Sequence, residues 1–204
     1  MEDLMENTAL APLTHIADGI GVDKVALYVG DQIGASDDSL LRRHQIVNVL
    51  NCAVNCDINY VDETLDLKPG RANREFGFAS VRTAKIGMID GEGNDPMLMF
   101  AAVHILQGML HQRFPAKASY PVKQPGNVLV HCRGGRSRSV AVAALYLSHM
   151  FPERWPNLFG LIDEIRDKRG IPKGEFGRVP TPGILRNMVE VHEMFRSGRA
   201  LFYP

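Results

Sequence analysis

Residues 128–150 read VLVHCRGGRSRSVAVAALYLSHM. The first three are wholly apolar, the composition of a short buried strand. Residues 140–150 are apolar on nearly every side, which a helix keeps only when other elements enclose it. Between strand and helix lies HCRGGRSRS, residues 131–139, with two adjacent glycines and three arginines. A strand, a glycine loop and a buried helix in that order point to an α/β layer fold, and the rest of the chain continues the alternation.

Upstream, residues 25–29 (VALYV) and 46–50 (IVNVL) read as buried strands ended by Gly30 and Asn51, with a short helix over 37–43 between them. Residues 81–89 (VRTAKIGMI) form a further strand, and a mobile loop begins at Asp90, ahead of Gly91 and Gly93. From 96 to 113, Leu98, Ala102, Ile105, Leu106, Met109 and Leu110 share one helical face, so this segment is an amphipathic helix against a sheet. Pro115, Pro121, Pro125 and Gly126 break the pattern over 114–127. Two helices follow, over 158–168 and 182–195, the second with Thr181 at the N-cap and Pro182 at its first position. The expected architecture is a single α/β domain, its central twisted, mostly parallel mixed sheet flanked by helices on both faces. Its expected limits are an N-terminal arm over 1–20, the domain over 21–198 and a tail over 199–204.

The chain has 204 residues, 45% hydrophobic and 23% charged, which excludes disorder and collagen-like repeats. Its 23 basic and 23 acidic residues balance, so no global field recruits nucleic acid or an anionic membrane, and anion recognition must come from a local cluster. The first residues carry Glu2, Asp3 and Glu6 where a secretory signal would be basic, and no apolar run reaches the roughly 18 residues of a membrane span. The three cysteines, Cys52, Cys56 and Cys132, are too few and odd in number for a disulfide framework, so a reducing, cytoplasmic setting is expected. The seven histidines include no HExxH pair, and Cys52 with Cys56 lacks a matching second ligand pair, so neither a metal nor another cofactor is expected.

The 131–139 loop can turn successive backbone N–H groups inward to make an anion nest, reinforced by the positive end of the following helix. Gly134 and Gly135 permit the positive φ such a nest needs. Arg138 stands six positions after Cys132, far enough for a curled loop to return its guanidinium toward the sulfur and grip two phosphoryl oxygens. Cation, dipole and N–H groups together favour an anion at Cys132, so its thiol should ionise near neutral pH. A thiolate beneath a bound phosphoryl group attacks phosphorus in line, and water then hydrolyses the phosphocysteine. Fixed donors rather than a metal would stabilise the charge on the equatorial oxygens.

HCRGGRSRS resembles the HCxxGxxRS signature of the cysteine-dependent phosphatases, and its SRS ending resembles the dual-specificity branch of the tyrosine phosphatase superfamily. Residues 27–53, LYVGDQIGASDDSLLRRHQIVNVLNCA, are similar to that family's early strand, helix and strand, and the likeness can be laid from Gly21 to Phe195. The resemblance implies Cys132 as nucleophile, Arg138 as phosphate clamp, Ser139 assisting departure of the thiolate, and His131 orienting the loop. Arg133, Gly134, Gly135, Arg136 and Ser137 would complete the phosphate site. The resemblance also implies an aspartate that protonates the leaving oxygen, and Asp90 is the match. It lies 42 positions before Cys132, more than is common in the family, with the extra length in 114–127. Glu92 and Asp95 share its loop and stay open as alternatives.

Arg133 and Arg136 occupy the variable positions of the loop, where side chains ring the mouth of the pocket. With Arg138 they make three guanidinium groups in six residues, a rim suited to polyanions. The first reading is therefore a protein phosphotyrosine, phosphoserine and phosphothreonine phosphatase. A second is a phosphatase of phosphatidylglycerophosphate, phosphoinositides or another polyanionic phosphoester, and a third is a phosphate-binding module without turnover. Cys52 or Cys56 is a candidate to pair with Cys132 on oxidation, and Asn51 either braces the loop or ends a strand.

Overall fold

The computed structural model describes residues 10–65, 77–117, 120 and 124–198. In chain order its elements are β1 (Leu13–Ile20), β2 (Val25–Gly30), α1 (Gln32–Ser36), α2 (Asp38–Arg43), β3 (Ile46–Ala53), β4 (Glu63–Thr64), β5 (Gly77–Phe78), β6 (Arg82–Met88), α3 (Pro96–His111), β7 (Asn127–His131), α4 (Arg138–Met150), α5 (Leu158–Arg169), a 3₁₀ turn at Lys173–Glu175 and α6 (Pro182–Ser197). Five strands form one sheet in the order β1-β2-β7-β3-β6, with β4 and β5 a separate ribbon. Only β1 runs antiparallel to its neighbour in the five-stranded sheet; β2, β7, β3 and β6 are mutually parallel.

Strand alternation sorts the core into two layers. Leu27, Val29, Val128 and Val130 face the larger one, beneath α3, α4, α5 and α6. Leu129 and Val49 face the other, where Ala35 of α1 and Leu41 of α2 cover them. β7 is central and buried on both faces, which is why VLV shows no polar alternation. α4 lies between the sheet and the other large helices, so residues 138–148 are all buried. Asp95 caps α3 by accepting the Met97 N–H at 2.8 Å, and Pro96 fills the first helical position.

Two expectations change here. Residues 13–20, expected within an arm outside the domain, are the edge strand β1, with Ile16, Ala17 and Ile20 in the core. Its pairing with β2 slips between His15 and Ala17 and again between Ala17 and Ile20, so the buried positions lose the period-two signal that marks a strand. Thr181 does stand at the N-cap of α6, but its side chain makes no cap hydrogen bond; its N–H instead donates to Ser137 Oγ at 3.0 Å. The outer parts of the arm and tail, 1–9 and 199–204, lie outside the described residues, as do 118–119 and 121–123 of the proline-broken segment. Among the described residues no helix is long and apolar enough to cross a membrane.

Candidate active site

The C-terminal ends of β2, β3, β6 and β7 share one edge of the sheet, where open parallel sheets bind ligands. β7 delivers His131 and Cys132 to that edge, and the chain curls through residues 133–137 before α4 begins. Two carbonyls of the curl are drawn away from its centre. Arg133 C=O accepts the Gln32 N–H at 3.1 Å, and Gly135 C=O accepts Arg169 Nε at 3.0 Å. Across a planar trans peptide the next N–H points the opposite way, so Gly134 and Arg136 N–H turn from those partners. Among the described residues, no protein acceptor takes the N–H groups of residues 133–137. Gly135 has φ +64, and a Cβ there would stand 2.7 Å from the Gly30 carbonyl oxygen and against Arg169 Nη2.

Cys132 lies beneath this curl at 1% exposure, with Sγ 3.3 Å from Ser139 Oγ. His131 is buried, and its Nδ1 is 3.3 Å from the Cys132 carbonyl, which can only accept; the proton is therefore on Nδ1. Burial pushes the imidazole pKa down to about 4, so the ring is neutral and steers backbone rather than supplying charge. Arg138 is 2% exposed. Its Nη1 donates to Met88 C=O at 3.0 Å and to Asn55 Oδ1 at 3.4 Å, while Nε is buried with no partner among the described residues.

The three carboxylates of the β6–α3 loop separate clearly. Asp90 Oδ2 is 3.5 Å from Arg138 Nη2, with its side chain 43% exposed. Glu92 pairs with Arg186 of α6, and Asp95 is spent on the α3 cap. A cavity of about 500 Å³ opens beside Asp90. It is lined by Asp31, Gln32, Ile33, Asn55, Asp90, Arg133, Gly134 and Arg138. A second cavity, of about 330 Å³, lies at the opposite edge around Asp23, Arg82 and Phe114.

Arg136 is not on the mouth of the pocket. It turns away to pair with Glu175 of the 3₁₀ turn, so the expected rim of two arginines reduces to Arg133. Ser137 Oγ accepts from Thr181 N–H and ties α6 to the loop. Asn51 does not end its strand, since β3 runs on to Ala53; its Oδ1 accepts Ala53 N–H at 2.9 Å and its Nδ2 donates to Cys56 C=O at 2.8 Å, holding the turn that follows. All three cysteines are free, and Cys52 is fully buried, its thiol pKa raised by desolvation first and by the proximity of Cys132 second.

Sequence reasoning did not find Gln32, Asn55 or Arg169. Arg169 is 2% exposed, and besides Gly135 it donates through Nη1 to Ala11 C=O at 2.7 Å, Thr14 Oγ1 at 2.9 Å and Val29 C=O at 3.2 Å. In the sequence it is one basic residue in the last turn of a helix, a position that ordinarily faces solvent, so no local signal marks it. Among the described residues, no group of three His, Cys, Asp or Glu side chains is placed to hold a metal ion.

No protein-family model matches the sequence, and no curated protein matches it. Solved structures do. A point variant of human DUSP28 is 18% identical, with 92% of this chain and 99% of that one covered at a TM-score of 0.58. The Yvh1 phosphatase domain from Chaetomium thermophilum is 25% identical, with 94% and 99% covered and a TM-score of 0.57. The human tyrosine phosphatase-like serine/threonine/tyrosine-interacting protein is 16% identical, with 83% and 93% covered and a TM-score of 0.52.

Proposed function

We propose that this chain, which has the fold of the dual-specificity phosphatases, hydrolyses phosphomonoesters without a metal, through a phosphocysteine. One arrangement carries the reading: a curl whose carbonyls are pulled outward, whose N–H groups are left without protein acceptors, and whose base holds a cysteine and a buried arginine with an unpaired Nε. A phosphate dianion satisfies all of these donors together.

The positions of the side chains support the following steps. The phosphoryl oxygens take the loop N–H groups and Arg138, and Cys132 attacks phosphorus as a thiolate from below. The bond from phosphorus to the ester oxygen breaks on the opposite face, and Asp90 gives that oxygen its proton. Water then enters where the leaving group stood, Asp90 takes its proton, and the sulfur departs with the Ser139 hydroxyl donating to it. The loop donors are fixed before reaction, so the charge spread over the equatorial oxygens is met without reorganisation.

The rim favours a substrate with a single phosphate, and the phosphorylated protein side chain remains the first reading. Arg136 is committed to Glu175, Asp31 and Asp90 place two carboxylates at the cavity, and Ile33 adds an exposed apolar wall. Arg133 on the rim is the observation that keeps polyanionic phosphoesters as a second reading. Turnover of a phosphotyrosine peptide compared with phosphatidylglycerophosphate separates the two. Hydrolysis of a chromogenic aryl phosphate that persists in chelator and disappears in Cys132→Ser supports the chemistry. No turnover by the intact protein would leave a phosphate-binding module.

A further inference from the structure

The loop that carries Asp90 has no buried side chain from Ile89 through Asp95, so apolar packing cannot fix its shape. One amide does so instead. Asn94 Oδ1 accepts the Ile89 N–H at 2.7 Å, and Asn94 Nδ2 donates to Ile89 C=O at 2.8 Å and to Gly91 C=O at 3.1 Å. A single side chain thus satisfies both backbone groups of the residue before Asp90 and the carbonyl of the residue after it, using its acceptor and both donor hydrogens. The outside of the loop is held by α6. Asn187 Nδ2 donates to Asn94 C=O at 3.0 Å, Glu92 pairs with Arg186, and Gly183 packs so near that a Cβ would stand 2.5 Å from Gly91 C=O.

We propose that Asn94 is a positioning residue for proton transfer: it clamps the backbone on both sides of Asp90 and so keeps that carboxyl over the phosphate site. The inference rests on Asp90 being the proton donor. Without the clamp, residues 89–95 sample other shapes, and a displacement of about 1 Å at the carboxyl is enough to cost up to about 100-fold in rate. In kcat/KM, which reports formation of the phosphocysteine and not its hydrolysis, the loss belongs only to protonation of the leaving group. Esters that leave well without a proton are spared, whereas esters that need one are not.

The test is a series of aryl phosphates of rising leaving-group basicity, hydrolysed by the full chain and by Asn94→Ala, Asp90→Ala and the double variant. Asn94→Ala is expected to lower kcat/KM by about tenfold or more for the most basic leaving group and by less than about twofold for the least basic. The double variant should be no slower than Asp90→Ala alone, since the clamp acts through that carboxyl. Asn187→Ala, which removes only the α6 hydrogen bond, should give a smaller loss with the same slope, and it serves if Asn94→Ala does not fold. An even loss across the series, or losses that multiply in the double variant, overturns the proposal. If Asp90→Ala itself shows no dependence on leaving group, the acid assignment falls and the proposal with it, a result distinct from failure at Asn94 alone.

Discussion

Replacing Gly135 by alanine tests the loop geometry with one methyl group. Three effects act together. The residue sits at φ +64, where an L side chain costs about 1–2 kcal/mol. The new Cβ would lie 2.7 Å from Gly30 C=O, a backbone atom in β2 that cannot swing aside, and crowding of this kind costs about 1–3 kcal/mol. It would also meet Arg169 Nη2, and displacing that guanidinium strains the 3.0 Å bond from Nε to Gly135 C=O; a hydrogen bond to a charged group is worth about 1.5–3 kcal/mol. Taken in full the three come to about 3.5–8 kcal/mol; because the Arg169 bond is strained rather than broken and neighbouring side chains relax, a net loss of about 3–5 kcal/mol is expected, against a total of about 5–15 for a domain of this kind. The variant should therefore fold, with a clearly lower urea midpoint, while hydrolysis of an aryl phosphate falls by about 100-fold or more as the loop donors shift. Urea unfolding followed by circular dichroism gives the first number and steady-state kinetics the second. Wild-type stability together with wild-type turnover would refute the account of the curl. Alanine at Gly134 is the internal control, because a Cβ there meets nothing nearer than 3.8 Å and should be nearly neutral for folding.

Arg138→Lys keeps the charge but loses the planar fork that donates to Met88 C=O and would grip the phosphate under the proposed mechanism, so kcat should drop by about 100-fold or more, measured on an aryl phosphate. Arg136→Ala removes a half-exposed pair with Glu175, worth about 0–1 kcal/mol, and should change kcat/KM for a phosphotyrosine peptide by less than about threefold; a larger loss confined to polyanionic substrates would restore Arg136 to the rim. Acid should destabilise the fold through its histidines. His131 is held at about 4 by burial, against 6.5 for a free imidazole, so the unfolded chain binds the proton first. That contribution is complete above about pH 6.5 and is lost as pH falls toward 4, amounting to about 3 kcal/mol at most. His104, His149 and His192, also lowered chiefly by burial, act in the same direction. Urea midpoints at pH 7 and pH 5 check the sign, and an unchanged or higher midpoint at pH 5 would contradict it.

Much of the loop was legible because its parts are consecutive in the chain. A nest of N–H groups, the glycine at positive φ, the cysteine and the arginine all fall within 131–139, and local spacing alone brings them within reach. The α/β alternation was legible for a similar reason: β7 and α4 are buried on nearly all sides, so their apolar runs are unbroken. The direction of Arg136 was not legible, since it depends on a glutamate 39 positions away. Neither were the separate surroundings of Asp90, Glu92 and Asp95, which depend on Arg138, on Arg186 of α6 and on a helix cap.

The sequence by itself determined that a strand, a glycine-bearing curl and an enclosed helix follow one another, and that a cysteine and an arginine stand at the curl's two ends. Tertiary structure decided what holds the site in shape: Gln32 and Arg169 on the carbonyls of the curl, Asn55 on Arg138, and Asn94 on the separate loop that carries Asp90. These supports act chiefly through hydrogen bonds to backbone and side-chain polar groups. Such bonds require position rather than pattern, and so they leave no periodicity or composition in the chain by which to recognise them.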